Sequence, residues 1–206
     1  MVGKAISKIS MGLLVLSVLG ACSQSSPPQT GSTGSFGAAH VDDPQQVAAW
    51  KEENHAGVDA LSKSDFAGAE QHLKAARDIA EKFGPSDVRL AGTLLNLAAA
   101  YESEKKLDDA EKAASRAVGI FLDTAGAGNS VTGTALVMLA KINADKGNFA
   151  DAAKFYEQAV AIMDKNGDGS SADAQTVLKE YANALEKSGR GADAKIVLSR
   201  LDNSNH

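Results

Sequence analysis

An internal repeat of about 42 residues constrains the fold of this chain more than any other feature of its sequence. Four segments align with one another: Phe66-Ala-Gly-Ala-Glu70, Leu107-Asp-Asp-Ala-Glu111, Phe149-Ala-Asp-Ala-Ala153 and Gly191-Ala-Asp-Ala-Lys195. Their shared alanines, Ala69, Ala110, Ala152 and Ala194, are separated by 41, 42 and 42 residues. A unit of this length cannot bury its apolar face alone, so consecutive copies are expected to stack on one another.

Small residues recur at a second place in each repeat. Twelve residues before the shared alanines stand Gly57, Ala98, Ala140 and Ala182. A crossing point between two closely packed helices holds little more than a Cβ atom, so this spacing predicts a pair of antiparallel helices in every repeat. The low aromatic content of 5% also favours helices over strands. We therefore predict an all-α solenoid of four helix-turn-helix units.

The periodicity and the turn residues give approximate bounds for eight helices. We expect them at about residues 45–63, 66–83, 87–104, 107–123, 131–146, 149–164, 173–187 and 191–202. Hydroxyl side chains just before three of these segments are the predicted N-caps: Ser86, Ser130 or Thr132, and Ser171.

The pattern of small and large residues resembles the tetratricopeptide repeat over about residues 48–203. Two segments carry the resemblance best: Leu94-Leu-Asn-Leu-Ala-Ala-Ala-Tyr101 and Gly147-Asn-Phe-Ala-Asp-Ala-Ala-Lys-Phe-Tyr-Glu-Gln-Ala159. The long period is similar to that of the kinesin-light-chain type. The resemblance implies a right-handed superhelix in a domain of residues 46–206, with repeats at about 50–90, 91–132, 133–174 and 175–206.

The resemblance also implies a concave groove lined by the first helix of each repeat. The side chains expected to bind a partner there are Asn54, His55, Val58, Leu95, Asn96, Glu102, Met138, Lys141, Lys179 and Asn183. Amides that can hydrogen-bond a peptide backbone, beside apolar pockets, suit a protein or peptide segment as ligand. Each position has the alternative of being a packed or solvated helix residue with no ligand. Leu95 in the core and Met138 as a gap-filler are examples.

The first 21 residues have the pattern of an export signal. Lys4 and Lys8 precede an apolar stretch at 9–19, and small residues follow it. As a helix this stretch would be roughly 16 Å long, too short for a bilayer core of about 30 Å. We therefore predict a signal peptide at residues 1–21 and no transmembrane anchor.

The segment Leu19-Gly20-Ala21-Cys22 resembles the lipobox of bacterial lipoproteins. The resemblance implies cleavage before Cys22, acylation of that cysteine and, because Ser23 follows it, sorting to the outer membrane. The alternative is an ordinary secretory signal with an incidental cysteine. Residues 22–45 are then a lipid-bearing linker, because their Ser, Gly, Pro and Thr cannot bury enough apolar area to order the chain.

Little in the sequence indicates chemistry beyond binding. A formal charge of −5 disfavours nucleic acid as a partner, and the four histidines share no metal-ligand spacing. The sharpest local signal is Asp164, Asn166 and Asp168, at loop positions 1, 3 and 5 of an EF-hand-like pattern. Position 12 is Gln175 in place of the bidentate Glu. We therefore expect no enzyme activity and no cofactor, with Ca2+ only a weak candidate.

Together these features predict a non-catalytic adaptor anchored at the periplasmic face of the bacterial outer membrane, where it binds an envelope protein. Two alternatives stay open: a structural or homo-oligomeric envelope protein, and a module with a weak calcium site in loop 164–175. Other lipidated repeat proteins suggest pilus or secretin piloting, outer-membrane protein assembly or cell-wall enzyme scaffolding. No motif in the sequence chooses among these processes.

Overall fold

The computed structural model describes residues 42–203, and this part of the chain contains eight α-helices and no strand. The helices are α1 Pro44–Ser62, α2 Phe66–Ala80, α3 Val88–Ser103, α4 Leu107–Thr124, α5 Ser130–Asp145, α6 Phe149–Asn166, α7 Ala172–Lys187 and α8 Gly191–Asn203. A 3-10 turn, Glu81–Phe83, continues α2. The predicted all-α class and the eight helices are confirmed. The predicted signal peptide, Cys22 and the linker as far as Val41 lie outside the described residues.

The helix starts are set by side chains that cap them. α1 begins at Pro44, inside the segment predicted as linker, because Asp43 Oδ1 accepts from the backbone N–H of Gln45 at 2.9 Å and proline suits the first turn of a helix. The helix pairs also begin a few residues before the predicted repeat bounds.

Two of the three predicted N-caps are wrong. Asp87 and Asn129 cap α3 and α5 in place of the neighbouring Ser86, and of Ser130 or Thr132. Their side-chain oxygens accept from the backbone N–H two residues ahead, at 2.8 Å and 3.0 Å respectively. Ser171 caps α7 as predicted.

Each pair of helices is joined by a tight turn with one residue in the left-handed backbone region. These residues are Ser64, Lys105, Gly147 and Gly189, with φ of 60°, 61°, 83° and 84°. Their regular spacing means that the same turn is built four times. Glycine adopts this conformation without strain, whereas Ser64 and Lys105 adopt it at a small cost.

The hydrophobic core is divided into two clusters. The larger cluster joins the first three helix pairs and includes Leu73, Leu97 and Phe121. The smaller joins the third and fourth pairs and includes Tyr156 and Leu185. No helix within residues 42–203 has the length and hydropathy needed to cross a membrane.

Ion pairs connect the turns of successive repeats. Lys106 Nζ contacts Glu70 Oε2 at 2.5 Å, and Lys146 Nζ contacts Glu111 Oε2 at 2.6 Å. Hydrogen bonds from Lys106 and Lys74 lower the pKa of Glu70 to about 2. These contacts fasten the first helix pair to the second, and the second to the third, at the turn edge of the solenoid.

Candidate functional site on the first helices of the repeats

The first helices of the first two repeats are joined by a buried polar network. Trp50 Nε1 on α1 donates to Thr93 Oγ1 on α3 at 3.0 Å. The single hydroxyl proton of Thr93 lies within reach of Asn54 Oδ1, at 3.1 Å, and of the Arg89 carbonyl, at 2.9 Å. Asn96 Nδ2 approaches the same Asn54 oxygen at 3.4 Å. The network therefore places two of the predicted binding amides in direct contact.

Asn96 has an unsatisfied acceptor in this network. Its side chain is 1% exposed, and its Oδ1 accepts no hydrogen bond within the described part of the chain. The amide orientation is defined because Nδ2 faces the oxygen of Asn54. A buried acceptor without a partner costs about 1–3 kcal/mol. An acceptor this deeply buried can receive a donor from outside the domain only if neighbouring side chains move.

The predicted binding residues fall into two groups by burial. Six are buried: Asn54, Val58, Leu95, Asn96, Glu102 and Met138. Leu95 and Met138 belong to the larger core cluster, which was the alternative interpretation of their sequence positions. His55, Lys179 and Asn183 are exposed, and Lys141 is half-buried. Of the three exposed binding candidates, two therefore lie on the fourth repeat.

The character of the first-helix layer changes along the array. Between the second and third repeats, Glu102 Oε1 pairs with Lys141 Nζ at 3.2 Å. In the fourth repeat, Glu180 accepts a hydrogen bond from the Tyr156 hydroxyl at 3.0 Å. Burial, together with the charge of Glu180, raises the pKa of Tyr156. The layer is apolar and amide-rich at its start and charged at its end.

Two of the three calcium candidates have other partners. Asp164 Oδ1 accepts from Arg200 Nη2 at 2.5 Å, whereas Asn166 Nδ2 donates to Ser130 Oγ at 3.1 Å. Within residues 42–203, no three His, Cys, Asp or Glu side chains are arranged to hold a metal ion. Calcium binding in this loop remains a prediction without support from these contacts.

Sequence reasoning missed a cavity of about 300 Å³ between the third and fourth repeats. Its lining residues are Ser130, Gly133, Thr134, Ile162, Met163, Asn166, Asp168, Ser171 and Asp173. Asn166 and Asp168 were singled out only as calcium candidates. A comparison of repeat columns offers the missing signal, because the column of Val131 carries Asp173 one repeat later.

Residues 89–165 match the family model of the tetratricopeptide repeat. The chain is also similar to solved structures of BtubC (BKLC) from P. vanneervenii and of a putative kinesin light chain from Podosopora anserina with nearly identical TPR-like repeats. For BtubC the sequence identity is 17% and the TM-score 0.72, with 82% of this chain and 66% of that chain covered. For the fungal protein the values are 18% and 0.68, with 73% and 72% covered.

A search among curated proteins found no sequence match to this chain. At such low identities the structural similarity defines the fold. The described part of the chain is a helical solenoid of the tetratricopeptide type, in which the first helices of successive hairpins contact one another and form one layer, called the inner layer below.

Proposed function

We propose that the protein is a non-catalytic, lipid-anchored adaptor of the bacterial envelope that binds a segment of a partner protein on its inner layer. Two features support this function: the tetratricopeptide-type solenoid and the first-helix surface that it presents. Protein or peptide binding is the role to which such a surface is suited, because a row of parallel helices offers repeated amides and pockets to an extended chain.

The unsatisfied Asn96 Oδ1 is the observation that carries the proposal. An extended partner segment offers backbone N–H groups, and one of these would satisfy the acceptor once neighbouring side chains of the layer move aside. Exposed Lys179 and Asn183 continue the layer into the fourth repeat, where they can contact side chains of the same segment. The backbone of the partner segment would thus be hydrogen-bonded at the second repeat, and its side chains would be contacted at the fourth repeat.

The membrane anchor rests on the N-terminal sequence. Acylation of Cys22 would hold the domain at the membrane through the 21 residues, 23–43, that separate it from the start of α1. Confinement to a surface raises the effective concentration of a binder near partners in the same membrane. We propose the periplasmic face of the outer membrane as the location.

Site-specific photo-crosslinking in the intact envelope tests the adaptor function. A photoreactive amino acid at Asn183 is expected to capture a discrete partner. The same probe at Lys112, which is exposed on α4 of the other helix layer, should capture none. Equal labelling from both positions, or none from Asn183, would contradict binding on the inner layer. Loss of membrane association in Cys22→Ala separately tests the anchor.

A second comparison isolates the role of Asn96. Asn96→Leu removes the orphan acceptor and is expected to weaken partner capture at least tenfold. Asn143→Leu is the matched control, because Asn143 is a buried amide on α5 whose Nδ2 donates to the Leu139 carbonyl at 3.0 Å. Both variants should keep the helical circular dichroism spectrum, but only the first should lose the partner.

A further inference from the structure

The cavity between the third and fourth repeats has an apolar floor and a polar mouth. Ile162 and Met163 from the end of α6 provide the apolar side. Asp168 in the loop and Asp173 at the start of α7 provide two carboxylates, and both residues are exposed. Neither forms an ion pair with another residue in the range 42–203. The cavity therefore combines a surface for an aliphatic stem with two carboxylates that no side-chain cation of residues 42–203 pairs with.

We number the contacts between successive repeats as junctions, so that the cavity lies at the third junction. The second junction, between the second and third repeats, shows which side chains fill the corresponding position there. There the residues in the columns of Asp173 and Ala174 are Val131, packed against the core, and Thr132, which is fully buried. The Thr132 hydroxyl donates to the Gly126 carbonyl at 2.9 Å and so ties the loop to the helix. At the third junction the apolar and hydroxyl side chains are replaced by a carboxylate and a methyl group, so neither the packing nor this tie is made.

The first junction, between the first and second repeats, shows a chemical group that the column of Asp173 can accommodate. The same column is occupied there by Arg89, whose guanidinium lies 3.8 Å from the centre of the Phe83 ring. Its Nη2 contacts Asp87 Oδ2 at 2.6 Å and Asp42 Oδ2 at 2.7 Å. A guanidinium stacked on an apolar side chain and held by two carboxylates is therefore already built into the array. At the third junction two carboxylates, Asp168 and Asp173, stand in columns other than those of Asp87 and Asp42, and no guanidinium from residues 42–203 pairs with them.

We propose that this cavity binds the guanidinium of an arginine side chain presented by the partner protein. The volume of about 300 Å³ is at the lower end of the range for ligand pockets, which suits one side chain better than a larger molecule. The aliphatic stem packs on Ile162 and Met163, while the planar fork donates to the two carboxylates. The Asn166 oxygen is a further acceptor, because the Asn166 amide nitrogen already donates to Ser130.

This proposal rests on the proposed function in one respect: the arginine belongs to the segment bound by the inner layer. The cavity borders that layer, since Thr134 lies on α5 among the first helices. The proposal requires the partner segment to carry a positively charged side chain at this position. A net charge of −5 for the chain agrees with a basic segment.

A titration with N-acetylarginine amide tests the cavity without any partner. We would follow the backbone amide signals of the isotope-labelled full chain by NMR, and expect saturable shifts at Gly133 and Asp173. Asp168→Asn combined with Asp173→Asn should weaken the response at least tenfold. The control Asp123→Asn combined with Glu157→Gln changes the same charge at two exposed positions, and should bind like the wild type.

A third variant closes the cavity instead of neutralising it. Asp173→Val combined with Ala174→Thr reproduces the second junction and should abolish the shifts while the circular dichroism spectrum is kept. Equal binding by this variant, unsaturable shifts, or shifts located elsewhere would overturn the proposal. Equal or tighter binding of N-acetyllysine amide or of calcium chloride would overturn it as well. Arginine binding without partner capture would refute only the adaptor function.

Discussion

Gly57 on α1 lies directly against Leu73 on α2, and a Cβ atom added to Gly57 would come within 2.5 Å of the Leu73 Cγ atom. Leu73 is fully buried, so it has no free space into which it can move. At the corresponding contact between the two helices of the second repeat, the matching columns carry Ala98 and Ala114. The two residues of the first repeat therefore form a size-matched pair.

We predict that Gly57→Ala destabilises the protein by about 1–3 kcal/mol, because overpacking exceeds the gain of about 1 kcal/mol in helix propensity. Leu73→Ala should cost about 2–5 kcal/mol. The double variant recreates the pair of the second repeat, and its cost should be at least about 1 kcal/mol less than the sum of the single costs. Urea unfolding of the three variants measures these values.

Gly119→Ala is the matched control for this cycle. Gly119 is a helical glycine on α4, and a Cβ atom there would meet nothing within 4 Å. This substitution should stabilise the protein by about 0.5–1 kcal/mol. A destabilising effect at Gly119, or simple additivity at Gly57 and Leu73, would contradict the size-matched pair.

The hydroxyl of Thr93 should matter more than its methyl group. Thr93→Val leaves Trp50 Nε1 without its acceptor in a site where Trp50 is only 8% exposed, so we expect a loss of about 1–3 kcal/mol. Trp50 is the only tryptophan of the chain, and its fluorescence reports directly on this contact during unfolding.

Thr176→Val controls for the general effect of the substitution. The Thr176 hydroxyl is exposed and bonds only to the Ala172 carbonyl of its own helix at 3.1 Å. We expect a change below about 0.5 kcal/mol for this variant. Similar losses for the two threonines would show that the buried network contributes nothing specific.

Glu70 should make the stability of the first two repeats sensitive to acid. Hydrogen bonds from Lys106 and Lys74 lower its pKa from 4.5 to about 2 in the folded protein. The contribution of Glu70 is therefore complete above pH 4.5 and is lost as the pH falls towards 2. We expect Glu70→Gln to lower the free energy of unfolding by about 1–3 kcal/mol at pH 7 and to have little effect near pH 2.

Unfolding curves measured at pH 7, 4 and 2.5 check this dependence. Glu157→Gln removes the same charge from an exposed position on α6 and is the control for the loss of a single negative charge. A parallel pH dependence for wild type and Glu70→Gln would assign the acid sensitivity to other carboxylates.

The helix pairs were predictable because their determinants are local and repeated. Small residues at Gly57 and Ala98, and the shared alanines that follow them, recur at a fixed period, which is a signal available without coordinates. The wrong N-caps at Ser86 and Ser130 have a different cause. Two adjacent residues can each cap a helix, and the choice depends on a shift of one residue in the loop.

The candidate site was less predictable because burial depends on neighbouring repeats. Leu95 and Met138 stand in groove columns of the sequence, yet they pack in the core of the assembled array. The contact of Asp164 with Arg200 joins residues 36 positions apart, which loop spacing alone does not reveal. The cavity beside Asp173 is present where a carboxylate replaces the apolar side chain that the previous repeat has at Val131. Only a comparison of the repeats reveals this difference.

The division of the core within the third helix pair gives the molecule a graded response to stress. A mechanical force on the carboxyl end, or heating of the protein, would detach α8 and then α7 while the larger cluster keeps its contacts. Partner binding across the third and fourth pairs would clamp this weaker end. Resistance to a protease at the last hairpin would then report whether a partner is bound.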